Sequence, residues 1–187
     1  DRRVLIWEAA AVAQAAIDEG VAGVPAEDFN IDRYREELEA RLGESYSVMR
    51  QMINQVKGKG KRIVFPEVDK EAVLRAAAQL VDQNICHPIL LGPVERIDKM
   101  VEDLGLNFEY EAYDPRYDER RKTEYANAFF RRRQRKGTTW ADAARLLKSR
   151  PYFAAQMVHS GDADGFVGGV SRNYADVLRP TLELIGK

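Results

Sequence analysis

Two glycines inside the basic stretch Lys57-Gly58-Lys59-Gly60-Lys61 divide this chain into two kinds of sequence. Downstream of them, short apolar runs alternate with amphipathic stretches, and that alternation restricts the fold severely. Residues 62–66 carry Ile63, Val64 and Phe65, a run short enough for a buried strand and closed by Pro66, which cannot extend a ladder. Over residues 70–83, Val73, Leu74, Ala77, Leu80 and Val81 recur on one helical face. Further strands are expected at 88–92, 108–113 and 165–169. Helices are expected over 94–104, 117–135, 139–148, 152–159 and 173–185. Short apolar strands separated by helices predict an α/β domain, a mostly parallel sheet flanked by helices.

Upstream of residue 57 the pattern is helical only. Val4, Leu5, Trp7, Ala11, Val12, Ala15 and Ala16 recur at helical spacing before Gly20. Residues 21–30 form a turn-rich link, and Asp32 stands where it would cap a second helix. Tyr34, Leu38, Leu42, Tyr46 and Met49 continue that helix at intervals of three to four, through Met52, Ile53 and Val56. The α/β region is thus preceded by a helical linker. Asp1 opens the chain without a methionine, and the last residues lie within a helical pattern, as expected of a piece of a longer protein.

Composition bounds the chemistry. The 187 residues carry 29 basic and 30 acidic side chains, a formal net charge of −1, which gives no general attraction to nucleic acid or to a membrane surface. No apolar run approaches the roughly 20 residues that span a bilayer. The single cysteine, Cys86, excludes an internal disulfide framework, and with only His87 and His159 the chain is poor in metal ligands, so no metal site is expected. These features suit a cytoplasmic protein. Cys86 reads as a small buried hydrophobe, His87 as structural, and His159 as a protonated residue at a helix end.

Charge is uneven, however. Residues 116–136 hold nine basic and three acidic side chains, a local excess of six, ending in Arg131, Arg132, Arg133, Arg135 and Lys136. Most of these suit a solvated helix face. Arg133, three to four residues beyond Phe129 and Phe130, lies nearest the buried face and is the one placed to reach a phosphate or carboxylate through its forked guanidinium. A second candidate is the strand and glycine turn of residues 165–169, followed by Val170-Ser171-Arg172-Asn173-Tyr174. A turn of this kind can aim backbone N–H groups at an anion, although its spacing is neither GxGxxG nor a P-loop. Arg179-Pro180 would bring a charge to the same crevice. Asp164 and Asp176 flank the segment, and Asp176 is spaced to pair with Arg179 along a helix.

Several segments together resemble phosphate acetyltransferases, and more closely the domain like them that ends bacterial hybrid malic enzymes. They are Lys61-Arg62-Ile63-Val64-Phe65-Pro66-Glu67, His87-Pro88-Ile89-Leu90-Leu91-Gly92, Arg135-Lys136-Gly137-Thr138-Thr139, Tyr152-Phe153-Ala154-Ala155-Gln156-Met157-Val158, the stretch from Gly161 to Gly169, and Ala175-Asp176-Val177-Leu178-Arg179-Pro180. The resemblance implies three regions. Residues 1–30 would be the tail of a malic enzyme domain, 31–57 a helical connector, and 58–187 an incomplete phosphate acetyltransferase-like domain. It also implies that Arg133 and Arg179 bind phosphate or CoA groups, with Ser171 and Asn173 as weaker contacts in the polar turn.

That turn differs from the threonine-rich form of catalytic members, and no catalytic residue is expected here. The implied function is an acetyl-CoA-sensing regulatory and oligomerisation domain, homo-oligomeric. Its parent would oxidatively decarboxylate malate to pyruvate with NADP and Mg or Mn, all held elsewhere. The alternative is an active phosphate acetyltransferase exchanging acetyl between CoA and phosphate.

Overall fold

The structure, a computed structural model, describes residues 2–40 and 44–186. The chain divides into two compact units, Asp1–Val56 and Lys57–Lys187.

The first unit is helical. Helix α1 (Arg2–Asp18) ends before Gly20, whose φ of 70° is open to glycine but strained for other residues. A short 3-10 turn (Ala26–Asp28) leads to α2 (Ile31–Ala40), and α3 (Glu44–Val56) follows. The cap of α2 is Asn30 and not Asp32: the Asn30 Oδ1 accepts from the N–H groups of Asp32 and Arg33, both at 3.0 Å. The helix starts two residues earlier than a cap at Asp32 would place it, with Ile31 in its first turn. Leu42 and the side chain of Tyr46 lie outside the described residues.

The second unit is the expected parallel α/β structure. Strand β1 (Lys61–Phe65) is followed by α4 (Glu71–Asp82), β2 (Cys86–Leu91), α5 (Val94–Asp103) and β3 (Glu111–Tyr113). Three helices then intervene, α6 (Glu119–Arg133), α7 (Trp140–Leu146) and α8 (Arg150–Ser160), before β4 (Gly165–Phe166) and α9 (Tyr174–Leu184). All pairings are parallel and the strand order is β3-β2-β1-β4. Val64 stands opposite Ile89 on one side and Phe166 on the other.

The sheet is apolar on both faces because alternate residues point to opposite layers. Val64, Ile89 and Leu91 pack with Phe129 of α6, Phe153 and Met157 of α8 and Leu184 of α9. Phe65 and Leu90 face the other way, onto Leu74 of α4 and Ile97 and Val101 of α5. Every residue of α8 from Pro151 to Met157 is buried, so this helix lies within the first layer and not on its surface. Gly161 closes it in the left-handed conformation, its N–H donating to the Val158 carbonyl at 3.2 Å. His159 stands in the last turn, where partial burial together with the Arg132 charge holds its pKa below the usual value, against the protonated state expected at a helix end.

Two strands are shorter than their apolar runs. The expected strand at 108–113 is paired only over Glu111–Tyr113, and that at 165–169 only over Gly165–Phe166. In the second case the remaining residues leave the sheet to form the turn that defines the candidate site. At the opposite end of the sheet Asp164 accepts from Lys61 Nζ at 2.6 Å and from the Arg62 N–H at 2.8 Å, so it secures β4 beside β1. Arg62 also forms a fork with Glu111, tying β1 to β3 across β2. Cys86 is buried at the start of β2, which raises its thiol pKa. Among the described residues, no helix is long and apolar enough to cross a membrane.

Candidate functional site

In a sheet of order β3-β2-β1-β4 the connections from β1 and β4 diverge. The crevice beyond the carboxyl ends of these two neighbours is the switch point where parallel α/β sheets bind ligands. Glu67 follows β1 directly into that crevice, and the turn at 167–173 enters it from β4. The glycine turn does aim its N–H groups at an anion, but the anion is the chain's own. Glu67 Oε2 accepts from the N–H of Gly169 and from that of Val170 at 2.9 Å, while Oε1 accepts from both the N–H and the hydroxyl of Ser171 at 2.8 Å. Only 3% of Glu67 is exposed.

Burial alone would raise the Glu67 pKa, but the bonds from Ser171, Gly169 and Val170 outweigh it and hold the carboxyl at about 2. Two glycines allow the approach. A Cβ on Gly168 would lie 3.3 Å from Pro66 Cγ and 3.5 Å from Glu67 Oε2, and Gly169 has a φ of 109°. The loop after β1 is held again by Arg150 at the start of α8, which donates to the Pro66 carbonyl at 3.3 Å and to the Asp69 carboxylate.

Ser171 is thus engaged inside the protein. Asn173 is the exposed residue preceding α9, and its carbonyl accepts from the Asp176 N–H. Arg179 lies on α9, about 8 Å along the axis from the first helical residue, Tyr174.

There a second cluster forms. Arg133, in the last turn of α6, places Nη2 3.4 Å from Glu183 Oε1 of α9. The other oxygen of Glu183 accepts from the Tyr152 hydroxyl at 2.9 Å. Arg179 and Glu183 are four residues apart on one face of α9. Burial and the Glu183 carboxylate push the Tyr152 phenol up to about 12, against the opposing charges of Arg179 and Arg133. The sheet and helix packing therefore bring Arg133 to a tyrosine–glutamate pair that also feels the charge of Arg179, four residues before Glu183 on α9, whereas Ser171 and Asn173 stand at the far end of that helix.

Arg133 is incompletely satisfied. Its Nε is buried without a hydrogen-bond partner among the described residues. Phe129 is fully buried and Phe130 partly so, which places Arg133 at the edge of the core, as their spacing suggests. Arg131, Arg135 and Lys136 are exposed. Arg132 instead serves α9, donating to the carbonyls of Glu183 and Ile185, both at 3.3 Å. A hollow of about 480 Å³ opens beside this cluster, lined by Arg132, Arg133, Lys136, Leu182, Glu183 and Gly186.

Glu67, Tyr152 and Glu183 are the site residues that sequence reasoning did not single out. Glu67 lies in a segment already noted, directly after a strand end, but its partners are more than 100 residues away. Among the described residues, no three His, Cys, Asp or Glu side chains come together to hold a metal ion.

Comparison with known proteins agrees with this architecture. The chain is 34% identical over 182 residues to an NADP-dependent malic enzyme of Rhizobium meliloti, an alignment covering 95% of this chain and 24% of that protein. It is 34% identical over 140 residues to a phosphate acetyltransferase of Corynebacterium glutamicum, covering 72% of this chain and 41% of the relative. The chain thus spans about a quarter of the malic enzyme and two-fifths of the acetyltransferase. Among solved structures, the EutD phosphotransacetylase from Staphylococcus aureus superposes with a TM-score of 0.65 at 34% identity, over 74% of this chain and 43% of that one. The family model for phosphate acetyl/butaryl transferase matches residues 47–187, so the chain belongs to that family.

Proposed function

We propose that this chain is the acetyl-CoA-sensing regulatory and oligomerisation module of a cytoplasmic, homo-oligomeric hybrid malic enzyme. Malate would be oxidised and decarboxylated to pyruvate by a separate part of that protein, with NADP and Mg or Mn. The donors described here do not make a metal site, and neither group is assigned to any residue of this chain.

The observation that carries the reading is Arg133, a guanidinium with a buried, unpartnered Nε beside Glu183, whose carboxylate also accepts from Tyr152. An unpartnered buried donor is costly, and a phosphate group offers oxygens that match a guanidinium fork. Arg133 and Arg179 would hold the phosphates of acetyl-CoA, and Arg132 and Lys136 would add positive potential at the mouth. Ser171 supports the turn through Glu67, and Asn173 begins the helix that presents Arg179. Regulation follows if acetyl-CoA binds one arrangement of the oligomer more tightly than another.

The test is malate oxidation by the full-length protein with increasing acetyl-CoA. Acetyl-CoA is expected to lower the rate. Arg179→Ala is expected to raise the concentration needed by about tenfold or more, the equivalent of one lost charge-assisted contact. Inhibition unchanged in Arg179→Ala refutes the site. Sustained formation of acetyl phosphate from acetyl-CoA and phosphate would instead favour an active acetyltransferase.

A further inference from the structure

Arg133 already has an anion beside it. We propose that Glu183 is a built-in competitor for Arg133, a specificity-determining carboxylate that an incoming anionic ligand must oppose. This inference rests on the acetyl-CoA reading of the site.

The Glu183 carboxylate is held from two sides. Tyr152 donates to Oε2 at 2.9 Å, and Arg133 stands 3.4 Å from Oε1. The backbone of the same residue is anchored by Arg132, which donates to its carbonyl. Both side chains of the pair are about four-fifths covered, at 20% and 21% exposure, so water screens their attraction less than at an open surface.

The pairing is nevertheless loose. A well-made guanidinium–carboxylate fork has two contacts near 2.7–2.9 Å, whereas Arg133 reaches Glu183 at 3.4 Å and leaves Nε without a partner. Glu183 therefore neutralises Arg133 without satisfying it. An anion entering the adjacent hollow meets the Arg133 guanidinium and the Glu183 carboxylate together, and the carboxylate repels it at close range. A small anion with only this contact is disfavoured. A large ligand that also reaches Arg179 and the surrounding surface can overcome the repulsion, so Glu183 sets a threshold that favours an extended, multiply anchored ligand over free phosphate.

Glutamine at position 183 separates charge from shape, since its amide oxygen can still accept from Tyr152. Binding of acetyl-CoA, and separately of inorganic phosphate, is measured calorimetrically on the full-length protein. Glu183→Gln and Glu183→Ala are each expected to bind inorganic phosphate about tenfold more tightly than the wild type and acetyl-CoA more tightly by a smaller factor, and both gains should vanish when Arg133→Ala is added. Equal or weaker binding in either folded variant overturns the inference, because Glu183 would then be orienting Arg133 and not competing for it. A wild type that binds acetyl-CoA no better than Arg133→Ala instead refutes the reading of the site itself. Thermal melts of every variant confirm that folded protein is compared. Should Glu183→Gln fail to fold, Glu183→Ala decides.

Discussion

Replacing Glu67 by glutamine leaves the side chain the same length but removes the charge on which the switch-point turn is built. The wild-type carboxylate accepts from the N–H groups of Gly169, Val170 and Ser171 and from the Ser171 hydroxyl. A glutamine amide keeps one acceptor oxygen and points an NH2 group at donors that need an acceptor. The size of the loss can be worked from the carboxyl pKa, which falls from 4.5 to about 2. Each factor of ten in acidity is about 1.4 kcal/mol, so the interaction contributes about 3 kcal/mol at neutral pH.

The sign is fixed by the direction of the shift. A carboxyl whose folded pKa is depressed stabilises fully above its unfolded value of 4.5 and loses that contribution as the pH falls towards 2. Urea unfolding of wild type and Glu67→Gln should therefore differ by about 3 kcal/mol at pH 7 and by about 1 kcal/mol at pH 3. A gap that stays constant across this range, or midpoints that coincide at pH 7, would refute the role given to Glu67.

Two further substitutions test the packing and the local capping. Phe153 is fully buried in α8 with its ring 5.2 Å from that of Tyr125, and Phe153→Ala is expected to cost about 3–5 kcal/mol in chemical denaturation. A loss under 1 kcal/mol would contradict the placement of α8 inside the first layer. Thr139 and Asp142 form a reciprocal capping box at the start of α7, so Thr139→Ala should lower stability by about 1 kcal/mol, and an unchanged melting temperature would argue against the cap.

The alternation of apolar runs and helical faces carried the architecture, because parallel strands buried on both sides must be apolar throughout while their helices need only one apolar stripe. It carried Arg133 as well, since the spacing from Phe129 marks which arginine of the basic cluster borders the core. It did less well at ends. Asp32 was a reasonable cap by residue type, but Asn30 starts the helix, and Val167-Gly168-Gly169 reads like strand although it turns away to meet Glu67. Glu67 itself was illegible because its partners are fixed by strand order, which local pattern does not reveal. Only the pairing of β4 beside β1 brings the residue after Pro66 to the turn at 167–171. Glu183 was hidden for the same reason: its contacts with Arg133 and Tyr152 depend on how α9 packs against α6 and α8.

The central claim is that Arg133 and Arg179 form one ligand site, and direct binding tests it most simply. Acetyl-CoA is titrated into the full-length wild type, Arg133→Ala, Arg179→Ala and the double variant. Saturable binding to the wild type, weakened about tenfold or more by each single change and by less than the product of the two in the double, is the expected result for charges sharing one ligand. Equal affinity in all four proteins would contradict the account.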